Sequence, residues 1–485
     1  MSIVTQLSAR DRIVGLLDGH SFVEIGAMIH ARNTDFNMAE QKTPADGVLT
    51  GYGTIDGKLV YVYSQDASVM GGSVGEMHAK KIVRMYDMAL KTGAPVIGLI
   101  DCAGMRLQEA TDALDAFGAI YYKQAMASGV IPQIAGVFGT CGGGMALVPA
   151  LADFTFVVEN KGEIFVNTPN ALEGNHIEVC NTASGDFRSK VSGEVDGLCE
   201  DDFKALVKIR RLVSMLPSNN KEDAFCMSDI SDDLNRENGA LGQTNDTAYI
   251  LQDISDNGNY FEVKENYARE MVTALIRLNG NTVGAVANRE EVLGEDGAVT
   301  ERFEPVLTSD GAKKAESFIR FCDAFSIPVL TLVNVGGFKA SVAEEEVMAP
   351  LAAKLTYAYA SATVPKVTVV IGKAFGSAYL CMGSRHIGAD LMYAWTDAKI
   401  GMMAAEPAVK IIYSEELEKT ENAKDFIRER AEAYDALQNS PESAATRGYV
   451  DGIILPAATR KRVIAAFDML ATKRETGIDK KHGTL

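Results

Sequence analysis

Two stretches of the chain carry the same punctuation 233 residues apart, and a duplication at constant offset dictates a fold made of two copies of one unit. AKKIVRMYDMALKTGAPVIGLIDCAG begins at Ala79 and AKKAESFIRFCDAFSIPVLTLVNVGG at Ala312, so that Pro95 answers Pro328, Asp101 answers Asn334 and Gly104 answers Gly337. Further along, Pro132, Gly139 and Gly143 answer Pro365, Gly372 and Gly376 at the same offset. One helix–strand match arises easily by chance. A single register held over some 65 residues without a gap does not.

The repeated unit reads from its apolar pattern. Residues 59–63, 96–100 and 134–138 are short β-branched runs flanked by glycine or proline, as buried strands are, and 283–287, 329–333 and 367–371 repeat them. Between them 76–91 has helical spacing, with Ile82, Met85, Met88 and Ala89 along one face, and 313–325 is its counterpart. Alternating strands and helices predict an α/β class. The polar, Asn/Asp-rich stretch 217–259 marks the boundary, and a split near 245 gives domains 1–245 and 246–485. The charged stretch 424–473 reads as a surface or interface helix pair.

Composition narrows the function classes. Sixty-five acidic against 47 basic residues give a net charge of −18, which repels phosphate backbones and anionic membrane surfaces and speaks against a nucleic-acid partner. No apolar run approaches the roughly 18 residues of a spanning helix, and MSIVTQLSARDR lacks a signal pattern, so a cytoplasmic protein without membrane insertion is expected. Seven cysteines, odd in number and without a C-x-x-C, read as reduced core thiols.

Glycine turns are the first chemical signal. A strand followed by Gly142-Gly143-Gly144 and an apolar helix presents backbone N–H donors suited to an oxyanion, and the second copy supplies Gly376, Ser377 and Ala378 at the same place. A single such turn is more often just a tight strand-to-helix connection. Two in register favour a function.

At these residues the sequence resembles the carboxyltransferase subunits of biotin-dependent acyl-CoA carboxylases, nearly end to end. The likeness is carried by PADGVLTGYGTIDGKLVYVYSQDASVMGGSVGEMHAKKI (44–82), DCAGMRLQE (101–109), CGGGMALVPALADF (141–154), MLPSNN (215–220), RFCDAFSIPVLTLVNVGGF (320–338), ATVPKVTVVIGKAFGSAYLCM (362–382), GADLMYAW (388–395), RGYVDGII (447–454) and KKHG (480–483). The resemblance implies tandem crotonase-like domains, each a spiral of ββα units, with acyl-CoA bound mainly by the first and biotin by the second. It implies sites completed across subunits of a hexamer, a trimer of dimers, working with a biotin carboxylase and a biotin carboxyl carrier protein. Gly143 and Gly144 look like the donors that hold the thioester oxygen, and Gly376, Ser377 and Ala378 like those facing the ureido oxygen of biotin. Ser73, Gly104 and Leu380 fall near the acyl-CoA, and Gly336, Gly337 and Phe338 on the biotin side. Biotin that has lost its carboxyl group is basic enough to take the α-proton, so no protein base is required. The same parts serve the α-subunits of sodium-pumping acyl-CoA decarboxylases, which leaves the direction open.

The chain departs from the family pattern in several places. Gly336-Gly337-Phe338 precedes Lys339-Ala340-Ser341 where a proline-glycine-phenylalanine turn and leucine, proline and glycine are usual. Ser377 replaces a glycine, and the region after SGDFRSK lacks the usual histidine.

Other features carry less. Gly71-Gly72-Ser73-Val74-Gly75 matches a nucleophile elbow and would make Ser73 a hydrolase serine, but Ser64–Met70 separate it from the preceding strand. His78 reads as a surface or capping group, and the remaining histidines show no ligand spacing, so no metal is expected. There is no phosphate-loop motif for ATP and no Met-Lys-Met biotinylation sequence, so biotin must arrive on another polypeptide. Lys80, Lys81 and Arg84, which face CoA phosphates in the functional reading, and Glu344–Glu346 read more simply as solvated helix faces.

Overall fold

The computed structural model describes residues 7–33, 36–222, 231–294, 296–477 and 482–484. Cys226 and Lys480–Lys481 lie outside them. The chain forms two compact units, Met1–Asp223 and Ala224–Leu485. The division falls inside the polar stretch but ahead of residue 245. The reason is that Leu241 and the apolar face of the helix Thr247–Ile254 bury themselves with Val272, Ala274 and Ile276 in the core of the second unit.

In the first unit the strands are β1 (Val23–Glu24), β2 (Val48–Ile55), β3 (Lys58–Gln65), β4 (Val96–Cys102), β5 (Gln133–Gly142), β6 (Phe154–Val158), β7 (Glu163–Phe165) and β8 (Gly197–Cys199). They build one sheet in the order β1-β2-β3-β4-β5-β6-β8, with β7 beside β5. Strands β2 and β3 form an antiparallel hairpin closed by Asp56-Gly57, both at positive φ, the turn that matches strand twist. From β3 onward neighbours run parallel, joined by helices that cover the sheet. The helix Glu76–Thr92 buries Ile82, Met85, Tyr86 and Ala89; Met88 is only half-buried, and Tyr86 takes the core place expected for it.

The second unit repeats this path with β9 (Tyr260–Val263), β10 (Met271–Leu278), β11 (Asn281–Asn288), a small hairpin β12 (Glu291–Leu293) and β13 (Val299–Arg302), then β14 (Val329–Val335), β15 (Lys366–Phe375), β16 (Leu391–Trp395), β17 (Lys399–Gly401) and β18 (Gly452–Ile454). The order is β9-β10-β11-β14-β15-β16-β18, with β17 beside β15. Asn279-Gly280 closes its hairpin as Asp56-Gly57 closes the first.

The offset of 233 survives into three dimensions. It relates both ends of β4 to those of β14, both ends of β5 to those of β15, and the starts of the helices Glu76–Thr92 and Ser309–Ala324. It also relates two isolated backbone bridges, Val74 to Met105 and Leu307 to Phe338. The stretch 424–473 is not a pair of surface helices. Strand β18 interrupts it, and the helix Thr459–Leu470 buries Val463, Ile464 and Phe467 in the core of the second unit.

Candidate functional site

In the first unit β5 hands over at Gly142 to a tight helical turn, Gly143–Ala146, and then to the helix Leu147–Leu151. Gly143 has φ +60°, a left-handed conformation that a side chain disfavours, and a Cβ built on it meets no atom within 4 Å. Glycine is therefore required by backbone geometry and not by crowding. Gly144 is different: its Cβ would stand 2.8 Å from Tyr121 Oη, whose hydroxyl donates to the Gly144 carbonyl. The first N–H groups of such a turn have no acceptor inside it and point outward. Gly104, φ +119°, lies against the Gly142 carbonyl, where a Cβ would approach to 3.2 Å. The sequence-expected Gly104, Gly143 and Gly144 thus come together around one turn.

The loops beside this turn are locked by a buried charge cluster that sequence reading missed. The side chains of Arg106, Asp46 and Glu109 are wholly inaccessible, with Arg106 Nη1 2.6 Å from Asp46 Oδ1 and 2.8 Å from Glu109 Oε1. Arg106 Nη2 also donates to the Ser73 carbonyl, the Glu109 carboxylate accepts the Glu76 N–H, and that of Asp46 accepts the His78 N–H. Three segments, around Asp46, Ser73–His78 and Arg106–Glu109, are held at one point. The quoted PADG and GMRLQE motifs contain these residues, but nothing in their spacing announces the contact.

Ser73 Oγ donates to the Met70 carbonyl, and the serine follows a tight turn with Gly71 and Gly72 at positive φ, not a strand. His78 corrects the surface reading: it is fully buried, its Nδ1 meets the Asp46 carbonyl and its Nε2 meets Gln65 Nε2. Burial pushes its pKa down to about 3, and the nearby Arg106 and Lys81 push the same way. It offers Ser73 no base. Lys81 is likewise buried and not solvated, donating to the Ala45 and Val48 carbonyls, while Lys80 pairs with Glu76 and Arg84 stays exposed. Burial raises the Cys102 thiol to about 12 and Cys141 well above its usual value, so neither is a nucleophile at neutral pH.

In the second unit β15 hands over to Gly376–Cys381 with Gly376 at φ +61°. Its Cβ would come 3.2 Å from the Met402 carbonyl. Positive φ falls on Gly376 and not on Ser377, so serine is accommodated without backbone strain. Gly376, Ser377 and Leu380 line a cavity of about 440 Å³ together with His386, Arg447 and Tyr449. Ala378 is buried beneath it. The cavity is also lined by Asn439 from a π-helical turn, Asp435–Asn439, and this side chain fixes the wall by donating to the Met403 carbonyl and to Asp435 Oδ1. Gly336, Gly337 and Phe338 lie elsewhere, on the loop after β14 that pairs with Pro305 and Leu307. Glu344 corrects the solvated reading of its run: its carboxylate accepts the Ser309 N–H, as Glu109 does for Glu76. Among the described residues no group of three or more His, Cys, Asp or Glu is placed to hold a metal, and no helix is long and apolar enough to cross a membrane.

Comparison with known proteins gives a consistent picture. The carboxyl transferase domain family matches residues 5–485. The methylmalonyl-CoA decarboxylase subunit alpha of Propionigenium modestum is 39% identical, over 99% of this chain and 93% of its own. The propionyl-CoA carboxylase beta chain of Roseobacter denitrificans is 40% identical, over 99% and 94%. A crystal structure of a transcarboxylase 12S hexamer, with hydrolysed methylmalonyl-CoA bound, superposes with a TM-score of 0.91 at 39% identity, over 99% of this chain and 92% of that one.

Proposed function

The chain belongs to the carboxyl transferase domain family, and from that premise we propose that it moves a carboxyl group between carboxybiotin, delivered on a separate carrier protein, and the α-carbon of a short acyl-CoA. The observation that supports this most directly is the paired left-handed turn, Gly143 in one unit and Gly376 in the other, at the same step out of equivalent strands. In this reading the N–H groups of Gly143 and Gly144 hold the thioester oxygen as charge builds on it, and those of Gly376, Ser377 and Ala378 face the ureido oxygen. Each such donor contributes about 3 kcal/mol to transition-state stabilisation. Docked biotin supplies the transferable carboxyl group and a ureido nitrogen able to take the α-proton. This accords with a chain whose buried His78 and thiols are held neutral. The cavity of the second unit, with Arg447 as the one permanent charge in its lining, suits a compact cyclic urea.

Ser73 and Gly104 belong to the acyl-CoA side in this reading, Leu380, in the wall of the second unit's cavity, stands where the acyl group meets the urea, and Gly336, Gly337 and Phe338, outside that cavity's lining, form an outer wall on the biotin side. A biotin carboxyl carrier protein and a biotin carboxylase are the expected partners, in a cytoplasmic hexamer, a trimer of dimers. The test is biotin-dependent decarboxylation of malonyl-CoA or methylmalonyl-CoA by the purified chain; no turnover of any acyl-CoA overturns the proposal.

A second reading, the α-subunit of an acyl-CoA decarboxylase, is favoured by the likeness to the Propionigenium modestum subunit. Capture of the native complex separates the two: a biotin carboxylase in it means synthesis, a membrane β-subunit means the pump.

A further inference from the structure

The lining of the second unit's cavity runs against the charge balance of the chain. Acidic residues outnumber basic ones 65 to 47 in the chain, yet no Asp or Glu lines this cavity, and Arg447 is its only permanently charged residue. Several arginines elsewhere sit on carboxylates: Arg12 on Asp101, Arg106 on Asp46 and Glu109, Arg460 on Asp256, Arg210 on Asp18. Arg447 is held instead by a neutral amide, its Nη2 donating to Gln438 Oε1 at 3.0 Å. Gln438 belongs to the π-helical turn that walls the cavity. The guanidinium is therefore positioned without being neutralised, and its remaining N–H groups keep a planar fork that matches a carboxylate.

We infer that Arg447 is the counter-ion of the transferable carboxylate on the N-carboxylated cyclic urea, and so the residue by which the cavity distinguishes carboxybiotin from bare biotin. The inference rests on the carboxyltransfer reading above. A carboxylate fits this place better than a phosphate ester because the lining offers one bidentate cation among Tyr379, Tyr434, Tyr449 and Leu380, and not a cluster of cations. The other titratable groups facing it are these tyrosines and His386, whose ring packs at a tilt against Tyr449, centroids 5.0 Å apart.

The carboxylate has two sources, carboxybiotin and the malonyl-type thioester, and the experiment separates them. Calorimetric affinities of freshly prepared carboxybiotin and of biotin, without acyl-CoA, are compared on the wild-type chain, Arg447→Gln and Arg447→Lys. The expected result for Arg447→Gln is about a tenfold loss for carboxybiotin with little change for biotin, and partial recovery in Arg447→Lys. KM values for methylmalonyl-CoA and propionyl-CoA are expected to move together. Equal losses for carboxybiotin and biotin, no loss for either, or a loss confined to methylmalonyl-CoA would each overturn the assignment. A wild-type chain that turns over no acyl-CoA with biotin overturns the underlying reading instead, which is a different outcome from an active chain whose variant fails to discriminate.

Discussion

Gly143 and Gly376 adopt the same left-handed conformation, φ +60° and +61°, as the first residues after two ten-residue strands, β5 and β15. In the proposed reading, the open space over Gly143, where a Cβ meets nothing, lets a thioester oxygen approach the N–H groups of the turn. Gly143→Val fills that space with two methyl groups and adds left-handed strain of about 1–2 kcal/mol. Turnover is expected to fall by at least two orders of magnitude, about the loss of one oxyanion donor. Ser73→Ala, which removes only a hydroxyl bonded to the Met70 carbonyl, is expected to leave most activity. Steady-state decarboxylation assays check both, and the reverse ranking would restore the hydrolase reading.

Arg106 and Lys339 occupy equivalent places after the paired bridges, yet their surroundings are opposite. Arg106 is wholly buried between two carboxylates, whereas Lys339 meets Glu304 at the surface. Arg106→Met leaves Asp46 and Glu109 buried without a counter-ion and is expected to cost about 3–5 kcal/mol. Lys339→Met breaks an exposed pair and is expected to stay within about 1 kcal/mol. Denaturant unfolding of the two variants gives the comparison, and near-equal midpoints would mean that the Arg106 cluster does not hold the loops together.

His78 makes acid sensitivity measurable. Its Nδ1 meets a carbonyl, an acceptor only, so Nδ1 carries the proton and Nε2 accepts from Gln65; a second proton on Nε2 would set donor against donor. With a folded pKa of about 3 against an ordinary 6.5, the unfolded chain binds a proton that the folded chain refuses between those values. This contribution to stability is therefore complete above pH 6.5 and lost as pH falls toward 3, with a limiting slope of about 1.4 kcal/mol per pH unit. Asp46, whose carboxyl is raised by burial, contributes in the opposite sense as it takes up its proton. His78→Gln is expected to flatten the stability profile between pH 6.5 and 5, as followed by urea midpoints at each pH; an unchanged profile would place the sensitivity elsewhere.

What could be read in advance follows from how local the information is. The β4/β14 and β5/β15 copies were legible because β-branched runs ending in glycine specify a strand and its exit turn within a dozen residues, and duplication doubles the signal. Arg106 was not, because its partners come from residues 46, 73 and 109, and burial of a charge is a property of the assembled loops. His78 and Lys81 looked solvated for the same reason: a helix that appears amphipathic in sequence is covered on its polar side by the Pro44–Gly47 turn. The cavity wall at Asp435–Asn439 was hidden because a single π turn leaves the 3.6-residue pattern of the helix before it almost unchanged.

Gly139 and Gly372 give a last test of the duplication, because each is glycine to make room for the same partner. A Cβ on Gly139 would stand 2.1 Å from Asp101 Oδ1, and one on Gly372 would stand 2.6 Å from Asn334 Oδ1. Neither carboxylate nor amide is free to retreat. Asp101 is anchored by Arg12 at 3.0 Å in a buried pair, and Asn334 donates to Glu290 while accepting the Lys373 N–H. Gly139→Ala must push Asp101 off Arg12, which strands two buried charges, so a loss of about 3 kcal/mol or more is expected. Gly372→Ala disturbs the hydrogen bonds of an uncharged amide and breaks no ion pair, and is expected to cost about 1–3 kcal/mol. If Asp101 is the obstacle, Asp101→Ala made together with Gly139→Ala will cost less than the sum of the two single changes. Strict additivity in a double-mutant cycle would show that the methyl group meets something other than that carboxylate.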